Sequence, residues 1–189
     1  MPVVESGVTR GLSPVSGRGI TRLVLGSLPS RLSVERQEYY GNPQNAFWRI
    51  VGTATGVAAS QPYAERVDAL VAAGVGLWDV LESSVRPGSL DADIDESTAV
   101  PNRLGEFLDA NAGIRRIGFN GRKARHLFDR RVHETIAGRL VDIELVDLPS
   151  TSPAHAAMPF DEKLARWTDF LATGPSPRDD QRHTASKTE

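Results

Sequence analysis

The sequence of 189 residues contains no cysteine. This absence excludes disulfide bonds, thiol nucleophiles, thiolate zinc sites and iron–sulfur clusters. No stretch approaches the roughly 18 consecutive apolar residues that span a bilayer. The N-terminal segment, MPVVESGVTRGLSPVSGRG, has no hydrophobic signal core. We therefore expect a cytoplasmic protein without a membrane partner.

A strong excess of either charge is also missing, since the formal net charge is −2 at pH 7. This balance argues against bulk electrostatic attraction to nucleic acid, although it permits a local basic face. The simplest interpretation of the one basic cluster is a solvated helix face, formed by Arg115, Arg116, Arg122, Lys123, Arg125, Arg130 and Arg131.

No pattern in the sequence predicts a metal ion or an organic cofactor. His126 and His133 lack a short ligand spacing, and the acidic residues between Asp91 and Glu96 lack the alternation of a calcium loop. The chain has neither a G-x-S-x-G elbow nor the lysine pattern of a phosphate-binding loop.

Alternating strand and helix patterns predict an α/β fold with three layers, α/β/α, around a central four-stranded, mainly parallel sheet. Apolar runs typical of buried strands are Ile20–Leu25, Val75–Leu81, Ile114–Phe119 and Val141–Leu148. Apolar stripes at helical spacing occupy residues 62–73, 104–111, 124–132 and 160–171.

The predicted domain is a single unit over residues 19–172. Residues 1–18 mix Gly, Ser, Pro and isolated apolar residues without a period, and we expect a flexible N-terminal tail there. Residues 173–189 are polar and contain proline, and we expect a disordered C-terminal tail.

Ligands bind outside the carboxyl ends of strands in such sheets, so the segments that follow the strands are the candidate site. The first strand is followed by GSLPS and YYGNPQNAFW, and the second ends near Asp79 before RPGSLDADI. Asn120-Gly121 follows the third strand, and LPSTSPAH follows the fourth. The predicted mouth is therefore rich in polar side chains and in residues that shape the backbone.

Each of these segments also has an ordinary structural interpretation. GSLPS can be a plain turn, or its amides can hold a carbonyl or phosphate oxygen. Asn45 can cap a helix that starts at Ala46, whereas Tyr39 and Tyr40 offer a stacking platform for a planar base. LPSTSPAH can be a proline-rich linker or a set of phosphate contacts.

The combined motifs resemble the uracil-DNA glycosylase superfamily. The resemblance covers the whole predicted domain and is closest to the hypoxanthine-DNA (deoxyinosine) glycosylase family, which is related to the mismatch-specific uracil/thymine-DNA glycosylases. YYxxPxNxFW joined to LPSTSP is specific, whereas either half alone is weak. RPGSLDADI and FNG occur in the expected order.

The resemblance implies a DNA repair enzyme that flips a deaminated base, chiefly hypoxanthine, out of double-stranded DNA and removes it by hydrolysis, leaving an abasic site. It implies a monofunctional glycosylase, because no lysine lies in the motif loops. We expect a monomer, associated with the nucleoid if its source is a prokaryote. Asn45 is the implied catalytic amide, with Asn42 as the alternative. The implied base-binding residues are Gly26, Ser27, Leu28, Tyr40, Phe47 and Asn120, and the implied DNA-binding residues are Ser150, Thr151, Ser152 and His155.

Two positions depart from the better-known relatives. Leu28 stands where uracil and mismatch glycosylases place Asn or Asp to position water, which argues against strong uracil excision and assigns water handling to another residue. Asn42 stands where relatives often have His, so it keeps hydrogen bonds but not proton transfer. The alternatives are a mismatch-specific uracil/thymine-DNA glycosylase and a damaged-DNA-binding module without excision activity.

Overall fold

Two β-sheets and the helices packed on them organise the chain. A computed structural model describes residues 7–155 and 157–172. The strands are β1 (Val8–Arg10), β2 (Arg22–Gly26), β3 (Val75–Asp79), β4 (Leu81–Val85), β5 (Val100–Pro101), β6 (Arg116–Asn120) and β7 (Glu144–Leu148). The α-helices are α1 (Arg31–Arg36), α2 (Phe47–Thr55), α3 (Tyr63–Ala72), α4 (Leu104–Ala110), α5 (Arg122–Arg131) and α6 (Phe160–Leu171).

The central sheet is parallel, with strand order β3-β2-β6-β7. Its register places Gly26 opposite Asp79 and Asn120 opposite Leu148. All four strands therefore deliver their carboxyl ends to the same edge of the sheet.

The two faces of this sheet are buried under separate groups of helices. Leu23 and Leu25 of β2 belong to a core shared with α4 and α5, whereas Val24 belongs to a core shared with α2, α3 and α6. Successive strand residues point to opposite faces, so β2 is apolar throughout and is covered on both sides. The predicted three-layer fold with a four-stranded central sheet is confirmed.

The second predicted strand, Val75–Leu81, is divided between two sheets. β3 ends at Asp79, and β4 starts at Leu81 in a three-stranded antiparallel sheet of order β1-β4-β5. The amides of Val80 and Leu81 donate to the carbonyls of Gly26 and Ser27 at 2.9 and 3.1 Å. The chain passes from the parallel to the antiparallel sheet at Val80 because of this pairing with residues that are distant in the sequence. The uninterrupted apolar run in the sequence does not reveal that break.

The prediction of a flexible tail over residues 1–18 is wrong for part of that range. β1 pairs with β4, and Val15 forms an isolated bridge to Leu77 beside the parallel sheet. Residues 1–6 and the predicted C-terminal tail, 173–189, lie outside the described residues.

The other predicted strands are shifted by one to three residues. The first and third begin at Arg22 and Arg116, and the fourth begins at Glu144, because Val141 is exposed in the preceding loop. No helix within residues 7–155 and 157–172 is long and apolar enough to cross a membrane.

A buried arginine forms hydrogen bonds with the ends of two helices, at the edge of the sheet opposite the candidate site. Arg22 is 3% exposed, and its guanidinium donates to the carbonyls of Leu171 in α6 and Ala73 after α3. The last carbonyls of a helix have no partner within the helix, so a side-chain donor there satisfies them. Burial, with a smaller effect of nearby Arg116, lowers the pKa of Arg22.

Candidate functional site

Loops at the carboxyl ends of the parallel strands surround a cavity of about 450 Å³. This volume lies within the range of roughly 300–1,000 Å³ that is usual for small-ligand sites. The sequence-predicted residues that line the cavity are Gly26, Ser27, Leu28, Tyr40, Asn42, Asn45, Asn120, Ser150, Thr151, Ser152 and His155.

The loop after β2 is held through its carbonyl groups. Gly26 and Ser27 accept from the chain at Val80 and Leu81, as described above. Arg86 is buried and donates to the carbonyls of Leu28 and Pro29 at 2.9 and 3.1 Å. Four successive carbonyls are therefore bound on the side of the loop that faces β4 and Arg86.

This arrangement orients the amides of the same loop. The described residues contain no cis peptide bond, and a trans peptide directs its N–H opposite to its C=O. The N–H groups of Ser27, Leu28 and Ser30 therefore point away from β4 and Arg86. Such amides, in residues that line the cavity, can donate to an oxygen or a nitrogen of a ligand.

The backbone around Tyr40 is fixed in an uncommon conformation. Tyr40 has φ of 54°, in the left-handed region that non-glycine residues rarely adopt. On one side, the amide of Tyr39 donates to the hydroxyl of Tyr63, and the indole of Trp48 donates to the carbonyl of Tyr39 at 2.7 Å. On the other side, the amide of Gly41 donates to the hydroxyl of Ser33. These bonds hold the strained residue at the cavity wall.

The Tyr40 ring lies on Phe47, with 4.1 Å between ring centroids and 30° between ring planes. Phe47 is fully buried and does not line the cavity. The expected direct contact between Phe47 and a base is therefore replaced by a supporting role behind Tyr40. The reason is that Phe47 begins α2 and points into the core between Trp48 and Trp167.

Both candidate catalytic amides line the cavity and shape their own turn. The Oδ1 atom of Asn45 accepts from the amide of Phe47 at 3.0 Å, which caps the start of α2. The Oδ1 atom of Asn42 accepts from the amide of Gln44 at 2.9 Å. Each oxygen keeps a second lone pair, and each NH₂ group keeps its donors.

Asn120 joins two loops. Its Nδ2 donates to the hydroxyl of Thr151 at 2.8 Å, and its Oδ1 accepts from the amide of Thr151 at 2.9 Å. The carbonyl of Thr151 accepts from the amide of Ala46, next to Asn45. Asn120 retains one N–H, and its side chain lies near the hydroxyl of Tyr40. Its first structural effect is to fix the loop after β7.

The expected phosphate contact by Thr151 does not fit this geometry. Thr151 is 1% exposed, and both its amide and its hydroxyl are bound to Asn120. Ser150, Ser152 and His155 lie nearer the surface, and His155 is exposed. Ser150 also presses against Gly121, whose φ of 93° and lack of a side chain allow the close approach.

Asp79 belongs to the cavity but was not among the residues assigned a role from the sequence. It is 3% exposed, and its Oδ2 atom has no hydrogen-bond partner among the described residues. Burial, and to a smaller extent the nearby Asp91, raise its pKa to about 7, while Arg86 opposes the shift. The only sequence signal was its position at the end of a buried strand.

The basic cluster is divided by the fold. Arg115 and Arg116 lie at the amino end of β6, whereas Arg122 and Lys123 follow its carboxyl end and line the cavity. Lys123 is paired with Glu96, whereas none of the described ion pairs includes Arg122, which is exposed. In residues 7–155 and 157–172, no three His, Cys, Asp or Glu side chains group closely enough to hold a metal ion.

Comparison with known proteins gives a consistent result. The chain is 39% identical over 118 residues to the hypoxanthine DNA glycosylase of Methanosarcina acetivorans, covering 62% of this chain and 73% of that protein. It is 34% identical over 116 residues to the hypoxanthine DNA glycosylase of Methanosarcina barkeri, covering 61% and 72%. No protein-family model matches the chain.

A solved structure agrees with these relatives. The solution NMR structure of a candidate uracil DNA glycosylase from Methanosarcina acetivorans superposes with a TM-score of 0.72 at 32% identity, covering 87% of this chain and 96% of that chain. Together with the site at the carboxyl edge of the sheet, these similarities show that the chain belongs to the hypoxanthine DNA glycosylase family, within the uracil-DNA glycosylase superfamily.

Proposed function

We propose that this protein is a monofunctional DNA glycosylase that hydrolyses the bond between deoxyribose and a deaminated base, chiefly hypoxanthine. The observation that carries the proposal is the cavity, in which a fixed tyrosine ring, a carboxamide and directed backbone amides line one slot. The two curated relatives are named hypoxanthine DNA glycosylases, which supports this choice of base.

The base has to leave the duplex to enter this cavity. Extruding a nucleotide costs a few kcal/mol, least at a mismatched or damaged pair, and this cost itself contributes selectivity. Tyr40 supplies a ring against which the extruded base stacks, and Phe47 keeps that ring in place from behind.

The chemistry needs water on one side of the sugar and charge stabilisation on the base. The Asn45 carboxamide orients a water whose oxygen bonds to the C1′ atom of the sugar as the bond to the base breaks. The sugar develops oxocarbenium character, and the base departs with the bonding electron pair and takes up a proton. The amides of Ser27, Leu28 and Ser30 and the free N–H of Asn120 stabilise the developing negative charge.

Leu28 does not take part in water handling. Its side chain is 4% exposed and belongs to the core cluster that includes residues of α4 and α5. Because that side chain is aliphatic, Leu28 can offer hydrogen bonds to the cavity only through its backbone. We expect phosphates of double-stranded DNA to be contacted by four residues that line the cavity, Ser150, Ser152, His155 and Arg122. We expect a cytoplasmic monomer.

A substrate panel tests the proposal. Duplexes carrying deoxyinosine, deoxyuridine, deoxyxanthosine or a G·T mismatch are incubated with excess protein, and abasic sites are cleaved with alkali. We expect the fastest release from deoxyinosine. Binding without an abasic product on every duplex would show a damaged-DNA-binding module instead.

Excision of uracil or thymine from mismatches is the second candidate, because the superposed solved structure is described as a uracil DNA glycosylase. The same panel separates the candidates, since faster release from deoxyuridine or from G·T than from deoxyinosine would favour the second.

Replacing Asn45 tests the assigned chemistry. We expect Asn45→Ala to reduce single-turnover base release by about 10²-fold or more, while duplex affinity changes little, because the amide acts on water and not on DNA. Gln44→Ala is the control, since Gln44 is the exposed neighbouring amide and lies outside the cavity lining. Equal losses of release and affinity in Asn45→Ala would contradict the role.

A further inference from the structure

The carboxyl of Asp79 lies over the floor of the cavity. Asp79 ends β3 directly opposite Gly26 in the parallel pairing with β2. A methyl group on Gly26 would overlap the Asp79 Oδ1 atom, so the absent side chain of Gly26 makes room for the carboxyl. The backbone carbonyl of Asp79 accepts from Nδ2 of Asn102 at 2.9 Å, which fixes the position of the residue.

A second buried polar group points to the same place. The Tyr40 hydroxyl makes no hydrogen bond of good geometry in the described part of the chain, although the Asn120 side chain lies close enough to lower its pKa against the larger raising effect of burial. It lies 3.4 Å from the position that a Gly26 side chain would occupy. Buried polar groups are nearly always hydrogen-bonded, and an unpaired one destabilises the fold. Two unpaired groups converging on one glycine in a cavity wall therefore indicate a place for a polar ligand.

The charges around Asp79 do not supply that partner. Arg86 donates through its terminal nitrogens to the carbonyls of Leu28 and Pro29 and forms an ion pair with Asp91 at 3.7 Å. Its buried Nε atom has no partner among the described residues, and no hydrogen bond or ion pair joins Arg86 to Asp79. Asp91 accepts from the hydroxyl of Ser27 at 2.6 Å. The remaining titratable groups near Asp79 are the hydroxyls of Tyr39, Tyr40 and Tyr63.

Burial, strengthened by the charge of Asp91, raises the pKa of Asp79 to about 7, so the carboxyl is about half protonated at pH 7 and largely protonated below it. A protonated carboxyl presents one donor and one acceptor side by side. A ring carbonyl next to a ring N–H presents the complementary acceptor and donor. Hypoxanthine has this pair at its six-membered ring, so the two edges can form two hydrogen bonds at once.

We infer that Asp79 is a specificity-determining residue that hydrogen-bonds the carbonyl and ring N–H edge of the extruded base. The inference rests on the proposed function and assigns one side chain to reading the base. The ionised carboxylate would still accept from the ring N–H, but it would repel the carbonyl oxygen.

A matched pair of substrates tests this contact. Purine deoxyriboside lacks both the exocyclic oxygen and the ring N–H, so it cannot use the Asp79 contact. We expect Asp79→Ala to lower single-turnover release of both bases by different factors. The factor for hypoxanthine should exceed the factor for purine by about tenfold or more. Equal loss on both substrates would show a purely structural role and overturn the inference.

The conservative variant tests the proton. Asp79→Asn keeps a donor and an acceptor but cannot ionise near neutral pH. As pH rises from 6 to 9, we expect hypoxanthine release by the wild type to fall relative to release by Asp79→Asn, with a midpoint near pH 7, and to level off at the rate of the ionised form. A constant ratio over this range would overturn the inference.

A control variant and the activity of the wild type distinguish a failure of this inference from a failure of the proposed function. Glu82→Gln removes an exposed carboxylate in the following strand, outside the cavity lining, and should retain the wild-type pH profile. A wild-type protein that releases neither base overturns the proposed function and the inference with it. An active wild type with unchanged substrate ratio and pH ratio in the Asp79 variants overturns the inference alone.

Discussion

Asp79 links the stability of the fold to pH. Its pKa is raised from 3.8 to about 7, so the folded state holds a proton that the unfolded state loses. The free energy of unfolding therefore falls as pH rises from about 4 to 7, and levels off above that. Asp79→Asn avoids this loss, and we expect it to be more stable than the wild type at pH 8, by at most about 4 kcal/mol.

Urea denaturation at pH 4.5 and at pH 8 measures this effect. The advantage of Asp79→Asn should be small at the lower pH and full at the higher one. The same advantage at both values would mean that ionisation of Asp79 is not the cause.

The sequence predicted the positions of some residues of the site but not the contacts of others. The sequence predicted cavity positions for Tyr40 and Asn45 because they lie in a motif after the first strand. It could not show that Asn120 and Thr151 are bound to each other, since that depends on the pairing of β6 with β7. Nor could it show the unpaired state of Asp79, which depends on where Arg86 is committed.

The ends of α3 and α6 depend on one side chain from β2. Arg22→Met leaves the carbonyls of Ala73 and Leu171 buried without their donor, at a cost of about 1–3 kcal/mol each. We expect a total loss of about 2–5 kcal/mol in the free energy of unfolding, measured by urea denaturation. Base release per folded molecule at low temperature should not change, because Arg22 lies at the edge of the sheet opposite the cavity.

Arg115→Met is the matched control for this change. Arg115 is exposed near the same edge, and its guanidinium donates only to carbonyls of its own loop, at Ala112 and Ile114. A loss as large as that of Arg22→Met would attribute the effect to removal of charge and not to the helix ends.

Elements with a strong local pattern were predictable, and elements defined by distant partners were not. The stripe at residues 160–171 became α6, and the buried run at residues 20–25 became most of β2. β1 was missed because its residues are ordinary for a loop and become a strand only beside β4. α1 was also not predicted, because it has only six residues. The Ser30 hydroxyl, which accepts from the Ser33 amide, is nevertheless a recognisable signal for the start of a helix.

The net charge of −2 and the pairing of most cations near the cavity bear on DNA binding by the whole protein. Of the arginine and lysine side chains that line the cavity, Arg86 and Lys123 are ion-paired, whereas Arg122 belongs to no ion pair among the described residues. Phosphate contacts at the cavity should therefore make duplex affinity only weakly dependent on salt, and Arg122 should account for much of the dependence. We expect Arg122→Ala to reduce the slope of log affinity against log salt by about 0.9. Arg115→Ala, on the opposite edge of the sheet, should leave the slope unchanged.

A fluorescence titration of labelled duplex between low and moderate salt measures these slopes. A steep slope that survives Arg122→Ala would place the phosphate contacts elsewhere on the surface.

Thr151 gives the cavity a particular place in the order of folding. Its hydrogen bonds reach Asn120 at the end of β6 and Ala46 before α2, segments that are far apart in the chain. Contacts of such long sequence separation form slowly, because the intervening loops must close first. A folding intermediate in which β7 has not yet joined the sheet can therefore contain most of the secondary structure and still lack a complete cavity. The ability to bind and release a base should appear only when this last strand pairs.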